Sequence, residues 1–408
     1  MTKHALAHPG LRSIDELAAG EPVWLREARA AAWSAFEAAA LPDRAQHRWR
    51  YTDAARLLPG DRALAHAAFD PQGIVLDPEA ERAGVIAMDL SRAAAERPEA
   101  VRAALGTLVP AQETPFTALN AALWSGGLYL EVPAGVRLSR PLVRLRRYAG
   151  GGMVLPRTVC VLGEGAEAVF IDEQLAAEGS ASDAPLVHRT LEWVVGDGAR
   201  LTLVQLQDLP SGATGTTTGR ARLGRGAAMD VVFTAFGGAS IKTDFTAELA
   251  GEGARAEIMG VVFGAGRQQF DHHAVLEHLA PRTASRLNLR VALRDRSKSA
   301  FTGMLRIAHE AVHSEAYQEN RNLLLHETAN AISIPELEIL TDEVQASHGA
   351  TVGPIDEEQL FYLAARGLAR PEAERMIVGG FFEPLLARIP DETVREEVRG
   401  RVEARLAR

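Results

Sequence analysis

His309-Glu310-Ala-Val-His313 carries the H-E-x-x-H spacing, which on a helix sets two imidazoles on one face to hold zinc, with the Glu as general base. The extended form of that motif needs a Gly and a third His, and here Ala316 and Glu319 stand in those places. Glu336 and Glu338 are acids that could act as a distant third ligand, but Pro335 precedes them in a strand-like run. The residues leading into the motif, Phe301 to Ile307, alternate as a strand does. A zinc peptidase on His309, Glu310 and His313 is therefore the alternative reading. His272, His273 and His278 form a second cluster. Adjacent residues on a strand point to opposite faces, so His272 and His273 cannot chelate together, and surface or turn histidines are the simpler expectation. The third candidate is His348, in Ser347-His348-Gly-Ala-Thr-Val-Gly353 between the β-rich body and a C-terminal helix. A His ahead of a Gly-bearing turn there can fill a hinge, cap a helix or serve a function.

Other chemistries lack their residues. The nearest text to a phosphate loop, Gly237-Gly-Ala-Ser-Ile-Lys-Thr243, has Ile241 where a second Gly must let backbone N–H groups reach phosphate. No strand is followed by G-x-G-x-x-G and a helix. Cys160, the single cysteine, sits in the apolar run Thr158-Val-Cys-Val-Leu162 and reads as a buried thiol rather than a nucleophile. One cysteine permits no internal disulfide, which suits a reducing compartment. It also means that a cluster held by four thiolates cannot be built from this chain alone. The net charge of −9 speaks against nucleic acid as the main partner. No apolar run is long enough to span a membrane. Met1 to Gly20, broken by His4, His8, Pro9 and Arg12, lacks the apolar core of a secretory signal, so the cytoplasm is the expected compartment.

The elements that must position these residues fall into three parts: 1–110 mainly helical, 111–350 β-rich and 351–408 helical. Trp24, Leu25, Ala28, Ala32 and Phe36 mark one face of a helix between Glu21 and Ala40. A second helical stretch lies around Leu90 to Leu105. From Ala111 a Gly-bounded turn recurs: Gly163-Glu-Gly-Ala166, Gly196-Asp-Gly-Ala199, Gly224-Arg-Gly-Ala227 and Gly251-Glu-Gly-Ala254. The spacings are 33, 28 and 27 residues (163 to 196 to 224 to 251), each turn leading into an alternating run such as Leu201-Thr-Leu-Val204. Repeats of that length are too short for propeller blades and predict a β-helix, with an ordinary sandwich as the alternative. Asp356-Glu-Glu-Gln359 then opens a helix that Gly367 closes. Asp391 opens the last helix, whose Val394, Val398, Val402 and Leu406 form a narrow stripe that packs on the body or on a partner. A carbohydrate-active β-helix enzyme would need paired acids along one groove and an export signal, and neither is evident.

Several motifs in order resemble one family. Leu41-Pro42 with Arg48-Trp-Arg-Tyr-Thr-Asp53, Phe116-Thr-Ala-Leu-Asn120, Tyr129-Leu-Glu-Val-Pro-Ala-Gly135, Ile334-Pro-Glu-Leu-Glu-Ile339, and Ala346-Ser-His348-Gly-Ala-Thr-Val-Gly353 followed by Asp356 to Leu363 and Arg366-Gly-Leu368 resemble the SufB/SufD family over residues 41 to 385. The Ser-His-Gly form is closer to the SufD branch than to the SufB branch. The resemblance implies a right-handed parallel β-helix flanked by N- and C-terminal helical regions, and a scaffold without catalysis of its own. Its implied partners are a SufB-like paralogue joined through the β-helices and a SufC-like ABC-type ATPase on the C-terminal helices, with a homodimer possible for the isolated chain. The resemblance also implies a cysteine desulfurase system as the sulfur source, no cofactor stably bound by one chain, and a transient iron–sulfur cluster in the complex. The family's functional His falls on His348, a possible iron ligand at the paralogue interface. Many relatives carry Cys where this sequence has Ala346, so the donor set must lean on His348 and the partner.

Overall fold

A computed structural model describes residues 18–60, 62–64, 74, 76, 78–148, 150–177 and 184–407. Of the stretch read for a leader, Met1 to Gly20, residues 1–17 lie outside them. The body is a parallel β-solenoid. A 10-stranded sheet (sheet A) faces an 8-stranded sheet (sheet B), and the chain alternates between them through successive coils. On sheet B, Arg200 stands beside Ala228, then Arg255, Ala284, Glu315 and Gln345 in unbroken parallel register.

The recurring glycines are the corners. Gly165, Gly198, Gly226 and Gly253 have φ of 64°, 65°, 63° and 72°, in the left-handed region that a residue without Cβ enters at little cost. Each donates its N–H to the same corner of the next coil, as Gly198 does to Arg225 O at 2.7 Å and Gly226 to Glu252 O at 2.8 Å. The corners therefore stack as tightly as the strands.

Alternation along each strand sends one set of side chains inward. Leu203, Val231, Ile258, Leu287 and Leu305 belong to one continuous core running the length of the solenoid. The outer face of sheet B is apolar too, because the C-terminal helices Arg370–Leu386 and Glu392–Leu406 cover it. Val232, Phe236, Val261 and Phe263 pack there with Phe382, Leu385, Val398 and Val402. The narrow valine stripe of the last helix is thus spent on the chain's own body. Sheet A is covered by the N-terminal helices, with Ala32 and Phe36 of Val23–Ala38 joining Leu119, Leu123 and Leu186. The buried pair Arg157–Glu192 (2.6 Å) fastens this layer, since Glu192 also accepts from the backbone N–H of Gly106, Leu108 and Val109.

The short segment carrying Arg48 to Asp53 is a strap on sheet A. Arg48 Nε donates to Asp244 at 2.9 Å, Thr52 donates to Asp271, and Lys242, paired with Asp271 at 3.2 Å, lies over the Trp49 ring. Beneath the strap, His188 is buried between Leu57 O and Thr216 Oγ1, each at 2.9 Å. A carbonyl only accepts, so Nε2 carries a proton; burial disfavours a second one, so the ring is neutral and Nδ1 accepts from the hydroxyl. Burial pushes its pKa down from 6.5 to about 4. The unfolded chain takes up this proton as pH falls below 6.5 while the folded chain does not. The stability is therefore complete above pH 6.5 and is lost as pH falls toward 4, on the order of 3 kcal/mol. About 2 kcal/mol of this loss has developed by pH 5, and His188→Gln should remove that share from the difference in urea unfolding between pH 7.5 and pH 5.

The two ends of the solenoid differ. At the first end Ile74, Ala80 and Val85 join the core, and the strand Ile86–Asp89 pairs antiparallel with Leu128–Val132, interrupting the parallel stack. At the other end the strands Asn330–Ile339 of sheet A and Gln345–Pro354 of sheet B are edges.

Candidate functional site

Of the three histidine groups, the structure leaves only His348 at an accessible edge suited to a shared site. His309-Glu310-Ala-Val-His313 is not helical. It is the corner between the strands Lys298–Ile307 and Glu315–Leu324. His313 occupies the position of the corner glycines, with φ of 61°, and donates its N–H to Glu343 O at 2.6 Å. Its ring meets Glu343 at 3.5 Å, while Glu336 is engaged by His47 at 3.1 Å. Two imidazoles on one helix face are what the zinc reading requires, and a corner cannot supply them. Gly at this corner relieves left-handed strain, so His313→Gly should stabilise the chain by about 0.5–1 kcal/mol. A thermal melt checks this, with a fall in Tm as the contrary result.

His272 and His273 are not surface residues. Both are buried, His272 at 3% exposure inside the solenoid and His273 outside it beneath the strap, its ring 6.3 Å from that of His47. The strand Gln269–His278 separates them, as alternation requires. Burial lowers the pKa of His272 to about 3 and that of His273 to about 4. The sequence showed neither the lumen nor the strap, so it could not show that both faces are covered. His278 is also buried, bonded to Thr283 and Ser285 at 2.7 Å each. Cys160 is fully buried, and burial drives its thiol pKa well up. It offers no thiolate.

His348 lies in the middle of a strand rather than in a junction turn, so the division drawn at residue 350 falls inside Gln345–Pro354. It is exposed, on the inward-facing row of that strand: Ala346, two residues earlier, packs on the solenoid core. The backbone of the strand is half used. Gln345 N donates to Ser314 O at 3.0 Å, so odd-numbered residues bond the neighbouring coil and the N–H groups of Ala346, His348, Ala350 and Val352 point to the open edge. The companion edge differs. Asn330 N donates to Ser297 O at 3.1 Å, which turns the missing N–H of Pro335 outward and blunts that edge. Sheet B therefore carries the receptive edge, with the imidazole on it.

The coils beneath His348 change character. Along one inward row Ile258, Leu287, Gln318 and His348 are in register, and along the second row beyond it Val262, Val291, Asn322 and Val352. The lining turns from aliphatic to polar one coil before the open end. Asn322 holds Asn320 Oδ1 at 2.8 Å and Thr351 O at 3.0 Å, and Asn320 holds Leu289 O at 3.2 Å. The amides of this layer were missed from sequence alone. Polar residues at inward positions of a strand one coil length before His348 were the available signal.

Comparison with known families agrees with these features. A profile described as the SufBD core domain of SUF system FeS cluster assembly matches residues 145–381, and one for the SufBD protein N-terminal region matches residues 75–143. The chain belongs to the SufB/SufD family. Iron–sulfur cluster assembly SufBD family proteins of Staphylococcus saprophyticus and Staphylococcus epidermidis are each 30% identical to it over 318 residues, covering 78% of this chain and 68% of theirs. A protein of the same description from Staphylococcus aureus is 29% identical over the same span. As a SufBD family member the chain is an iron–sulfur cluster assembly protein, and the core profile contains the open end with Gln318 and His348. Among the described residues no helix is long and apolar enough to cross a membrane.

Proposed function

We propose that this chain is the SufD-type scaffold subunit of the assembly complex and lends His348 to a pocket that a SufB-type paralogue completes. One observation carries the reading: a free ten-residue edge strand bears an exposed imidazole at an uncapped solenoid end, in a chain whose only thiol is buried. An edge strand is a template for another chain, and a neutral imidazole is a sound iron ligand that still needs partners for a complete set. The cluster is cargo of the complex, formed transiently from sulfur supplied by a cysteine desulfurase, and the isolated chain retains none. With no phosphate loop of its own, the subunit takes its ATPase, of SufC type, on the C-terminal helices, where Phe361, Tyr362 and Met376 are exposed. It carries no turnover of its own and works in the cytoplasm. Without the paralogue, the same edge can pair two copies of this chain. Co-expression tests the reading: the paralogue and the ATPase should co-purify with this chain, and iron and sulfide should be retained only by the complex. A stable cluster on the isolated chain would overturn it.

A further inference from the structure

The open end holds a buried side chain neither of whose polar atoms the fold uses. Gln318 is 4% exposed, and neither its Oε1 nor its Nε2 has a hydrogen-bond partner. An unsatisfied buried amide is costly, and folds rarely keep one without use. The neighbouring asparagines differ: Asn320 uses both ends of its amide and Asn322 its nitrogen, so that only Asn322 Oδ1 is left without a partner. The amide also has a place made for it. It lies over Gly303 of the opposite sheet, where a Cβ would stand 2.4 Å from Nε2, so a side chain at 303 would displace it. Gln318 and His348 are register partners on adjacent parallel strands, both on the inward row, which sets their Cα atoms about 4.8 Å apart.

We propose that Gln318 is the positioning residue of His348. This rests on the reading of His348 as a donor to the shared pocket. An imidazole that binds metal through one nitrogen needs an acceptor for the N–H on the other, and that acceptor fixes the tautomer and the ring plane. Gln318 Oε1 is that acceptor. A carboxylate would add a charge to a buried site, whereas the amide accepts while neutral.

The test uses the full chain in complex with its paralogue, with Co2+ as the probe metal. Gln318→Leu removes both unsatisfied groups at similar volume. The Tm of the chain should rise by about 1–3 °C, while the complex should bind Co2+ about 10-fold more weakly or worse, with an altered ligand-field absorption band. Gln318→Met, linear like Gln, should behave the same. Gln318→Leu should add nothing to the loss produced by His348→Ala, the mark of residues acting as a unit. Unchanged Co2+ affinity and band in Gln318→Leu, with both lost in His348→Ala, overturn this inference and leave the role of His348 standing. A lowered Tm in both Gln318 variants assigns the amide to the fold and also overturns it. Unchanged binding in His348→Ala defeats the reading of His348 and the inference with it.

Discussion

His348→Ala should leave the chain folded and able to pair, yet slow cluster assembly by the complex about 10-fold or more. The side chain is exposed on an edge strand, so its removal opens no cavity, and an exposed substitution away from packed features stays within about 0.5 kcal/mol. The loss falls on the donor set instead. This chain has Ala346 where a neighbouring thiolate would stand and keeps its one thiol in the core, so no nearby group replaces the imidazole. Unfolding curves, size-exclusion chromatography with the paralogue and the initial rate of cluster formation separate the three quantities. A wild-type rate in the variant would rule out the role.

The second large effect concerns the edge itself. Ala350→Pro should abolish pairing with the paralogue while the isolated chain keeps nearly its full stability. The N–H of residue 350 points away from the neighbouring coil, because Gln345 N bonds Ser314 O and the direction alternates from there. Proline at 350 removes a donor that only an incoming strand would use, as Pro335 already does on the other edge. Thr351→Pro provides the opposite case one residue on. Its N–H faces the strand Glu315–Leu324, and its carbonyl accepts from Asn322 at 3.0 Å, so proline there should lower stability by about 3 kcal/mol. Melting of the two variants and their co-elution with the paralogue check both halves. Retained pairing in Ala350→Pro would place the interface elsewhere.

Much of the body was legible from spacing. Gly163, Gly196, Gly224 and Gly251 open turns whose third residues have positive φ, and such corners follow from residue type because only glycine takes them cheaply. The helix Glu392–Leu406 was legible for a related reason, since its N-cap Asp391 and its valines at four-residue steps depend on neighbours in sequence. Where the corner residue is not glycine and only the bond to the next coil holds it, local reading failed. Arg282 and His313 hold the same conformation without being glycine, bonded to Val312 and Glu343 of the coil above. The zinc-like pentapeptide arises because a histidine, His313, stands at such a corner.

The sequence by itself determined a repeating strand-and-corner body and a single thiol unfit to hold a cluster alone, whereas His348 stood out only through the resemblance of its motif to the SufB/SufD family. The first two depend on residue type and on separations of a few positions along the chain. Only the tertiary structure decided that His272 lines the lumen, that the segment around Arg48 seals His273 from outside, and that the edge of sheet B is open while Pro335 blunts the edge of sheet A. It alone brought Gly303, Gln318 and His348 to one layer. Stacking joins residues about one coil apart, and facing sheets join residues half a coil apart, so the identity of a neighbour depends on how many residues each corner consumes. That count drifts from coil to coil, and hydrogen-bonded register rather than sequence periodicity fixes it.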